Sequence, residues 1–555
     1  MRGRAMGNQD YDFIIVGAGS AGCALAARLT REASHRVLLL EAGPRDRHPM
    51  VSVPLGFAML MKHPKLNWCY ETEPEPHMNG RRMAWPRGKL LGGSSAINGM
   101  VYIRGQREDY DGWAANGCPG WAWEDVLPWF LRSEHNVNGA SEWHGTGGPL
   151  WVDNPVNRYP LTELYIQACV EEGIPYNDDF NGPRQEGVGY YQLNIRRGRR
   201  QSAAHCFLAP CRQRPNLHLV TEALAERVLF EGRRATGVRY RRPDGSTVEA
   251  RARGEVILCG GTVNSPQLLE LSGIGQSERL QTLGIPVVHE APEVGENLQD
   301  HLTVNVQQGF HGLTTFYEET RPLAMARNLF HYLTRGRGLL AHPAAEVGVF
   351  FRTSEEVERP DAQIHFAPAA GEYNERGTMV TVPGTTATVC LLRPTSRGWI
   401  HLGSADPARP PVIRANYLAT DHDRQGIVAA IRRTRAIYQA PSLAPYRTEE
   451  IRPGRHRQTD EELLEFAREI GESVYHPVGT CRMGSNEGAV VAPDFKVHGV
   501  EGLRVADASI MPTLLSGNTH AACVLFGERC GEMILTERRR RSRSVLQPRT
   551  IRESA

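Results

Sequence analysis

No apolar run in this 555-residue chain reaches the roughly 18 residues that a bilayer-spanning helix requires. A Cys-x-x-Cys pair is equally absent. The eleven cysteines are scattered, which argues against a disulfide framework or a zinc ribbon and for reduced, mostly buried thiols in a cytosolic protein. Cys206 and Cys211 have the closest loop-type spacing, and no His or Cys cluster accompanies them. Neither sign of charge prevails: with 64 Lys and Arg against 62 Asp and Glu there is no broad basic field, and nucleic acid is not an expected partner. The opening MRGRAMGNQD is polar and is not expected to be a secretory signal. One stretch breaks the charge balance, ERRRRSRSVLQPRTIRESA after Thr536. It is read as a solvated, disordered tail over 538–555, with peripheral contact to anionic lipid on the inner face of the membrane as the sharper alternative.

What is present is an ordinary globular composition, 41% apolar and 23% charged, in a chain long enough for about two domains. Residues 11–22 read YDFIIVGAGSAG. A short apolar, β-branched run over 13–16 stops at Gly17, as a buried parallel strand does. Gly17-x-Gly19-x-x-Gly22 leads into an Ala- and Leu-rich segment at helical spacing, and a second apolar run over 37–40 ends in Glu41-Ala42-Gly43. Strand, glycine turn, helix, strand and acid are the context a dinucleotide fingerprint needs. Gly17 permits the tight turn, Gly19 admits a pyrophosphate to the backbone, and Gly22 lets the helix pack on the sheet. Free N–H groups at the helix N-terminus favour phosphate, and Glu41 is placed to accept from an adenosine ribose. The fingerprint alone does not separate FAD from NAD.

Later segments bear on that choice. A second glycine and serine turn lies in RGKLLGGSSAINGMVYIRG, residues 87–105. In GEVILCGGTVNSPQLLELSGIG, residues 254–275, a buried strand over 256–259 precedes a helix that Ser265 and Pro266 open as N-cap and N1. Alternating residues around Pro243-Asp244-Gly245 predict an antiparallel hairpin. A meander inserted into a doubly wound nucleotide fold favours FAD. Residues 396–418 predict strands and turns, and residues 423–440 an amphipathic helix. The stretch SVYHPVGTCRMG, residues 473–484, could hold a metal, a thiol nucleophile, a proton-transfer group or a turn. The spacing of His476 and Cys481 is not one that zinc uses, and no metal is expected. Nothing nearby lowers a thiol pKa. Proton transfer and a turn remain.

Taken together, these segments resemble the glucose–methanol–choline oxidoreductase family and, within it, the choline-dehydrogenase-like alcohol dehydrogenases. The resemblance rests on residues 87–105 and 261–275, on VGENLQDH (294–301), HPVGTCRMG (476–484) and VADASIMPTLLSGNTH (505–520). It implies an α/β fold in which a Rossmann-like FAD-binding domain (11–160, 215–305 and 475–537) is interleaved with a substrate domain (161–214 and 306–474). The latter is built on an antiparallel sheet flanked by helices, with the pocket between the two. Non-covalent FAD is implied, because Ile97 stands where some members attach the flavin through histidine.

Carried over by position, Gly17, Gly19, Ser20, Ala21 and Gly22 meet the pyrophosphate, Glu41 and Ala42 the ribose side, and Ala225 the adenine. Gly93, Ser94, Asn98, Gly99, Met100 and Val101 lie along the flavin. Trp68 belongs to another cofactor-side segment. Asp507, Ala508, Asn518 and Thr519 supply the C-terminal contacts. His476 matches the histidine beside flavin N5. His520 matches the second pocket group, where close relatives carry Asn followed by Ala-Pro; this chain has His520-Ala521-Ala522.

The implied reaction oxidises a primary alcohol to an aldehyde, with His476 as base, His520 as the partner that holds the alkoxide, and hydride passing to N5. An imidazole of pKa about 6.5 suits that exchange near neutrality. The expected partners are a small-molecule alcohol and an external electron acceptor, whether quinone, dye or oxygen. The alternatives are an oxidase releasing hydrogen peroxide, a choline dehydrogenase, and a flavin-dependent lyase or photodecarboxylase. No aromatic cage or carboxylate for a quaternary ammonium can be assigned, which ranks aliphatic and aromatic alcohols ahead of choline.

Overall fold

The computed structural model describes residues 10–373 and 379–546. The uncharged β-branched and leucine runs become the centre of a first sheet. Asp10–Val16 lies between Val37–Leu40 and Thr247–Leu258, parallel to both, and Leu217–Val220 extends the sheet beyond Val37–Leu40. Phe13, Ile14, Ile15, Val256, Ile257 and Leu258 are all fully buried, so these strands show no in–out alternation and are covered on both faces. On the other side Arg234–Arg241 and Leu224–Glu231 continue antiparallel, and Leu503–Val505 joins Thr247–Leu258 in parallel. The turn between Arg234–Arg241 and Thr247–Leu258 is the expected one at Pro243-Asp244-Gly245, closed by the Arg242 N–H on the Ser246 carbonyl at 2.9 Å. The helix Ser20–Leu29 covers one face and the long helix His520–Leu546 lies against it. Their contact is close because Gly527 has no side chain: a Cβ there would sit 2.1 Å from the Ala21 carbonyl oxygen.

A second sheet is wholly antiparallel. Its order is Arg447–Arg452, Leu302–Phe310, Gly384–Leu391, Ala362–Ala367, Val347–Phe351 and Gly187–Tyr190, with Glu472–Ser473 also paired to Leu302–Phe310. The expected amphipathic helix is Asp421–Gln439. Thr420 caps it, accepting from the Asp423 N–H, and its stripe of Ile427, Ile431 and Ile437 is buried in a core with Val304, Ile364 and Val389. Trp399–His401 and Val412–Arg414 form a small separate hairpin.

Three expectations need correction. The strand Leu302–Phe310 belongs entirely to the second sheet, so the anticipated boundary at 305 cuts through it. The helix expected to open at Ser265 is Gly261–Leu271, with Pro266 inside it. Ser265 is not its cap, because its hydroxyl donates instead to Asp507 Oδ2 at 2.6 Å. The basic stretch does not lose order at 538. The last helix continues to Leu546, and Arg538 and Arg539 find Asp12 and Glu32 at 3.4 and 2.9 Å; residues 547–555 lie outside the described residues. All eleven cysteines are free thiols.

Candidate active site

A cavity of about 400 Å³ opens between the C-terminal ends of the parallel strands and the second sheet, where open α/β sheets bind ligands. The glycine turn forms one wall. Gly17 has φ +101°, and a Cβ there would lie 2.4 Å from the Cys259 carbonyl oxygen; at Gly22 it would lie 1.9 Å from the Gly17 oxygen. Those two glycines close the turn on itself. Gly19 differs, since no atom lies within 4 Å of where its Cβ would be, so its missing side chain leaves room on the cavity side. The helix that starts at Ser20 has no side-chain cap, which leaves its first N–H groups for an anion. Glu41 closes the far end of this wall. Its two oxygens accept from the Ala18 and Gly43 N–H groups at 2.9 and 2.8 Å, and burial lifts its pKa to about 7 against those two bonds.

The opposite end is built by residues 473–481, which cross from the second sheet to the first. Ser473 pairs with Leu302, Val478 exchanges backbone bonds with Gln299, and the Cys481 N–H reaches the Ser509 carbonyl at 2.8 Å. Pro266 explains how this crossing is held. Lacking an N–H, it leaves the Thr262 carbonyl free inside the helix, and the Thr480 hydroxyl donates to that carbonyl at 2.6 Å. The Thr262 hydroxyl donates in turn to the Pro477 carbonyl at 2.6 Å. Beside them Asp300 Oδ1 accepts the His476 N–H at 2.8 Å, while Ser473 and Tyr417 bond the other oxygen. Burial raises the Asp300 carboxyl to about 6.

The proton positions around His476 follow from its partners. His301 is buried, which pushes it down to about 4 and keeps it neutral. Its Nε2–H donates to the Leu392 carbonyl at 3.0 Å, so its Nδ1 is bare. That nitrogen lies 3.0 Å from His476 Nδ1, which must therefore carry the proton. Burial first, then His301, His365 and Arg87, hold His476 well below 6.5. It is thus neutral, with a bare Nε2 that accepts from Asn518 Nδ2 at 3.1 Å. The second amide proton of Asn518 points to His365 Nε2 at 3.4 Å, and burial lowers His365 to about 4.

All the expected cofactor residues except Gly22 line this cavity, as do His476 and His520. Gly22 stands behind the turn. The Asn98 side-chain oxygen is already occupied, accepting from the Met100 N–H of its own loop at 3.2 Å and from Arg200 at 2.8 Å. Trp68 stacks on Tyr70 and carries Lys89 4.5 Å over its ring. The expected pairing of His476 with His520 is not a direct contact: the side chain on His476 Nε2 is Asn518. His520 sits at the start of the last helix with Nδ1 2.9 Å from Ser20 Oγ, and burial lowers it to about 4. Its Nε2 is buried without a partner, as is His365 Nδ1. His301, His365 and Asp300 were not singled out from the sequence. The first and last close the VGENLQDH motif and could have been found there. His365 lies in a plain strand, Ala362–Ala367, with no local signal.

Comparison with known proteins places the chain in one family. Residues 11–303 match the N-terminal GMC oxidoreductase profile and residues 394–527 the C-terminal one. An alcohol dehydrogenase [acceptor] of Pseudomonas putida is 45% identical over 95% of this chain and 96% of its own. An oxygen-dependent choline dehydrogenase of Pseudomonas syringae pv. tomato is 45% identical over 95% and 93%. The solved structure of a FAD-dependent oxidoreductase from Chaetomium thermophilum superposes with TM-score 0.87 at 29% identity, over 95% of this chain and all of that one.

Proposed function

This chain belongs to the GMC oxidoreductase family, whose FAD-dependent alcohol oxidation it shares, and we propose that it dehydrogenates an uncharged primary alcohol with His476 as the base. The cavity suits FAD on its own evidence. The open space at Gly19, the uncapped helix start and the unpartnered Nε2 of His520 are all unsatisfied until a polar, anionic ligand fills them. Gly19, Ser20 and Ala21 would hold the pyrophosphate, Glu41 the ribose, and the 93–101 segment the ring system. Along that segment Ile97 offers no nucleophile, so the flavin is held without a covalent bond. FAD bound there would supply the acceptor for the hydride of the carbinol carbon.

The single observation that carries the reading is the bare Nε2 of His476 in the wall of that cavity. A hydroxyl that takes the place of the Asn518 amide at Nε2 donates its proton there, while Nδ1–H stays anchored on His301. The Asn518 amide, already at that nitrogen, is in reach of the oxygen as its negative charge grows. His520 Nε2 is a second group without a partner that can face the substrate or the ring. Such general-base assistance is worth roughly 10²–10⁴ in rate.

The lining also speaks to substrate class. Among the described lining residues the only acids are Glu41 and Asp507. Both are spent, Glu41 on backbone N–H groups and Asp507 on Ser265, Ser509 and Gly261. Neither is free for a quaternary ammonium, whereas Phe57, Met61, Val263 and Ala345 offer apolar surface. Aliphatic and aromatic alcohols therefore rank ahead of choline. Mixing the FAD-loaded protein with a panel of alcohols without oxygen tests this: flavin bleaching is expected with apolar alcohols and not with choline. Admitting oxygen and measuring peroxide separates an oxidase from a dehydrogenase that needs another acceptor. A flavin-loaded protein that no alcohol reduces, or a His476→Ala variant that is reduced at the original rate, defeats the proposal.

A further inference from the structure

The helix Pro322–Arg335 is built inside out. A helix on a protein surface ordinarily turns its apolar stripe to the core, yet the one side chain this helix buries is the amide of Asn328. That amide donates to Glu319 and accepts from the Leu339 N–H at 3.3 Å, so a polar anchor holds the helix down. Its apolar residues point away. Leu323, Leu329, Phe330 and Leu333 are 89, 48, 60 and 73% exposed, four of the ten large apolar side chains exposed among the described residues. At about 100° per residue, these four, Pro322 and Ala326 fall within an arc of roughly 120°.

Cationic groups gather at the ends of that helix: Arg321 just before it, Arg335 and Arg337 at its C-terminal end, with Arg327 beside the arc, all exposed, and the hairpin that meets the helix end at Gly336 adds Arg197 and Arg199. Among the described residues only Arg327 is neutralised, by Glu319 at 3.4 Å, and Arg335, Arg337, Arg197 and Arg199 have no ion-pair partner. An exposed apolar stripe on a helix with unpaired arginines clustered at its end matches one environment, the interface of a membrane with anionic headgroups. No helix among the described residues is long and apolar enough to cross a membrane. Contact in the plane of the interface is the mode that remains for this one.

We propose that the helix Pro322–Arg335 seats the protein on a bilayer containing anionic phospholipid, with Leu323, Phe330 and Leu333 among the acyl chains and the arginines on headgroups. The placement has a consequence for access. The chain leaving the helix forms the turn Leu339–Ala341, which packs on Pro54–Gly56, and then reaches Ala344 and Ala345 in the cavity wall. The membrane-facing helix and the cavity are thus adjacent parts of one segment. Docking through this helix is independent of what the cavity oxidises.

The test is co-sedimentation of the FAD-loaded full chain with vesicles of phosphatidylcholine alone and of phosphatidylcholine mixed with phosphatidylglycerol. Binding is expected on the anionic vesicles, weakened by salt. The triple variant Leu323→Ser, Phe330→Ser, Leu333→Ser is expected to lower it on the order of a hundredfold, with flavin content and turnover of a water-soluble alcohol unchanged. Arg335→Glu with Arg337→Glu, which leaves the apolar face whole, is expected to weaken binding on anionic vesicles alone. Three results overturn the proposal. One is no binding of the unaltered protein to either vesicle. Another is undiminished binding of the triple-serine variant, which would assign contact to the basic C-terminal stretch. The third is a dimer in sedimentation velocity that the serine variant dissolves without any vesicle binding, which would make this face an interface between two copies.

Discussion

His301 touches no part of the cavity, yet it fixes which nitrogen of His476 carries a proton. Replacing it by leucine leaves the Nδ1–H of His476 without its acceptor, a loss of about 1–3 kcal/mol for a buried donor. The ring can recover part of this by moving the proton to Nε2, which removes the base. His301→Leu is therefore expected to lower kcat by roughly 10–100-fold with a smaller change in KM, as rapid-reaction measurement of flavin reduction would show. The same environment sets the pH dependence. The base works only when neutral, and burial holds His476 well below 6.5. Activity is then lost as pH falls through that depressed pKa and stays level above it. The acid limb of kcat/KM should lie below pH 6.5; a limb centred above that value contradicts the neutral, buried base.

At the scale of elements, the two glycines of one turn serve different ends and should fail differently. Gly17→Ala forces a Cβ into a left-handed backbone and to 2.4 Å from a carbonyl oxygen, so it should cost at least about 2 kcal/mol whether or not FAD is present. Gly19→Ala meets no protein atom, and should leave the apo protein within about 1 kcal/mol of its original stability while weakening FAD binding. Thermal melts of apo protein and a flavin titration distinguish the two. This turn was legible in the sequence because everything that defines it is local: an apolar run, three glycines, a helical pattern and the next strand. The hairpin at Gly245 and the helix Asp421–Gln439 were legible for the same reason. The second sheet was less so, since Gly187–Tyr190 pairs with Val347–Phe351 from more than a hundred residues away, and only pairing places His365 opposite the loop with His476. Ser265-Pro266 has the local signature of a helix start, yet Pro266 lies inside the helix and frees the carbonyl that docks Thr480.

Across the whole molecule, each sheet has its own apolar core, and few strands serve both. The first core gathers Phe13, Ile257 and Phe526, and the second Val304, Ile364 and Ile431. They are joined by the crossing at 473–481, by polar contacts such as Arg359 to Asp109 at 2.8 Å, and by the cavity, whose walls come from both sides. A ligand there bridges the two bodies and binds only when both are folded, so its affinity becomes stability of the whole. Each tenfold rise in free FAD above its Kd should add about 1.4 kcal/mol. For a chain of this length the unfolding entropy is large, and that increment corresponds to about 1 °C in Tm. Stripping the flavin should lower Tm, and adding it back should raise Tm linearly with the logarithm of its concentration. Trp113 and Trp121 belong to the first core and Trp85 to the second; with Trp68, Trp85 and Trp399 replaced by phenylalanine, tryptophan fluorescence follows the first core, while far-UV circular dichroism reports on both sheets. With FAD in excess the two signals should change together. In the apo protein the bridge is missing and the tryptophan transition is expected to separate from the total. Coincident transitions at the same Tm with and without FAD would mean that the flavin does not span the two sheets, and the placement of His476 against it would fall with that result.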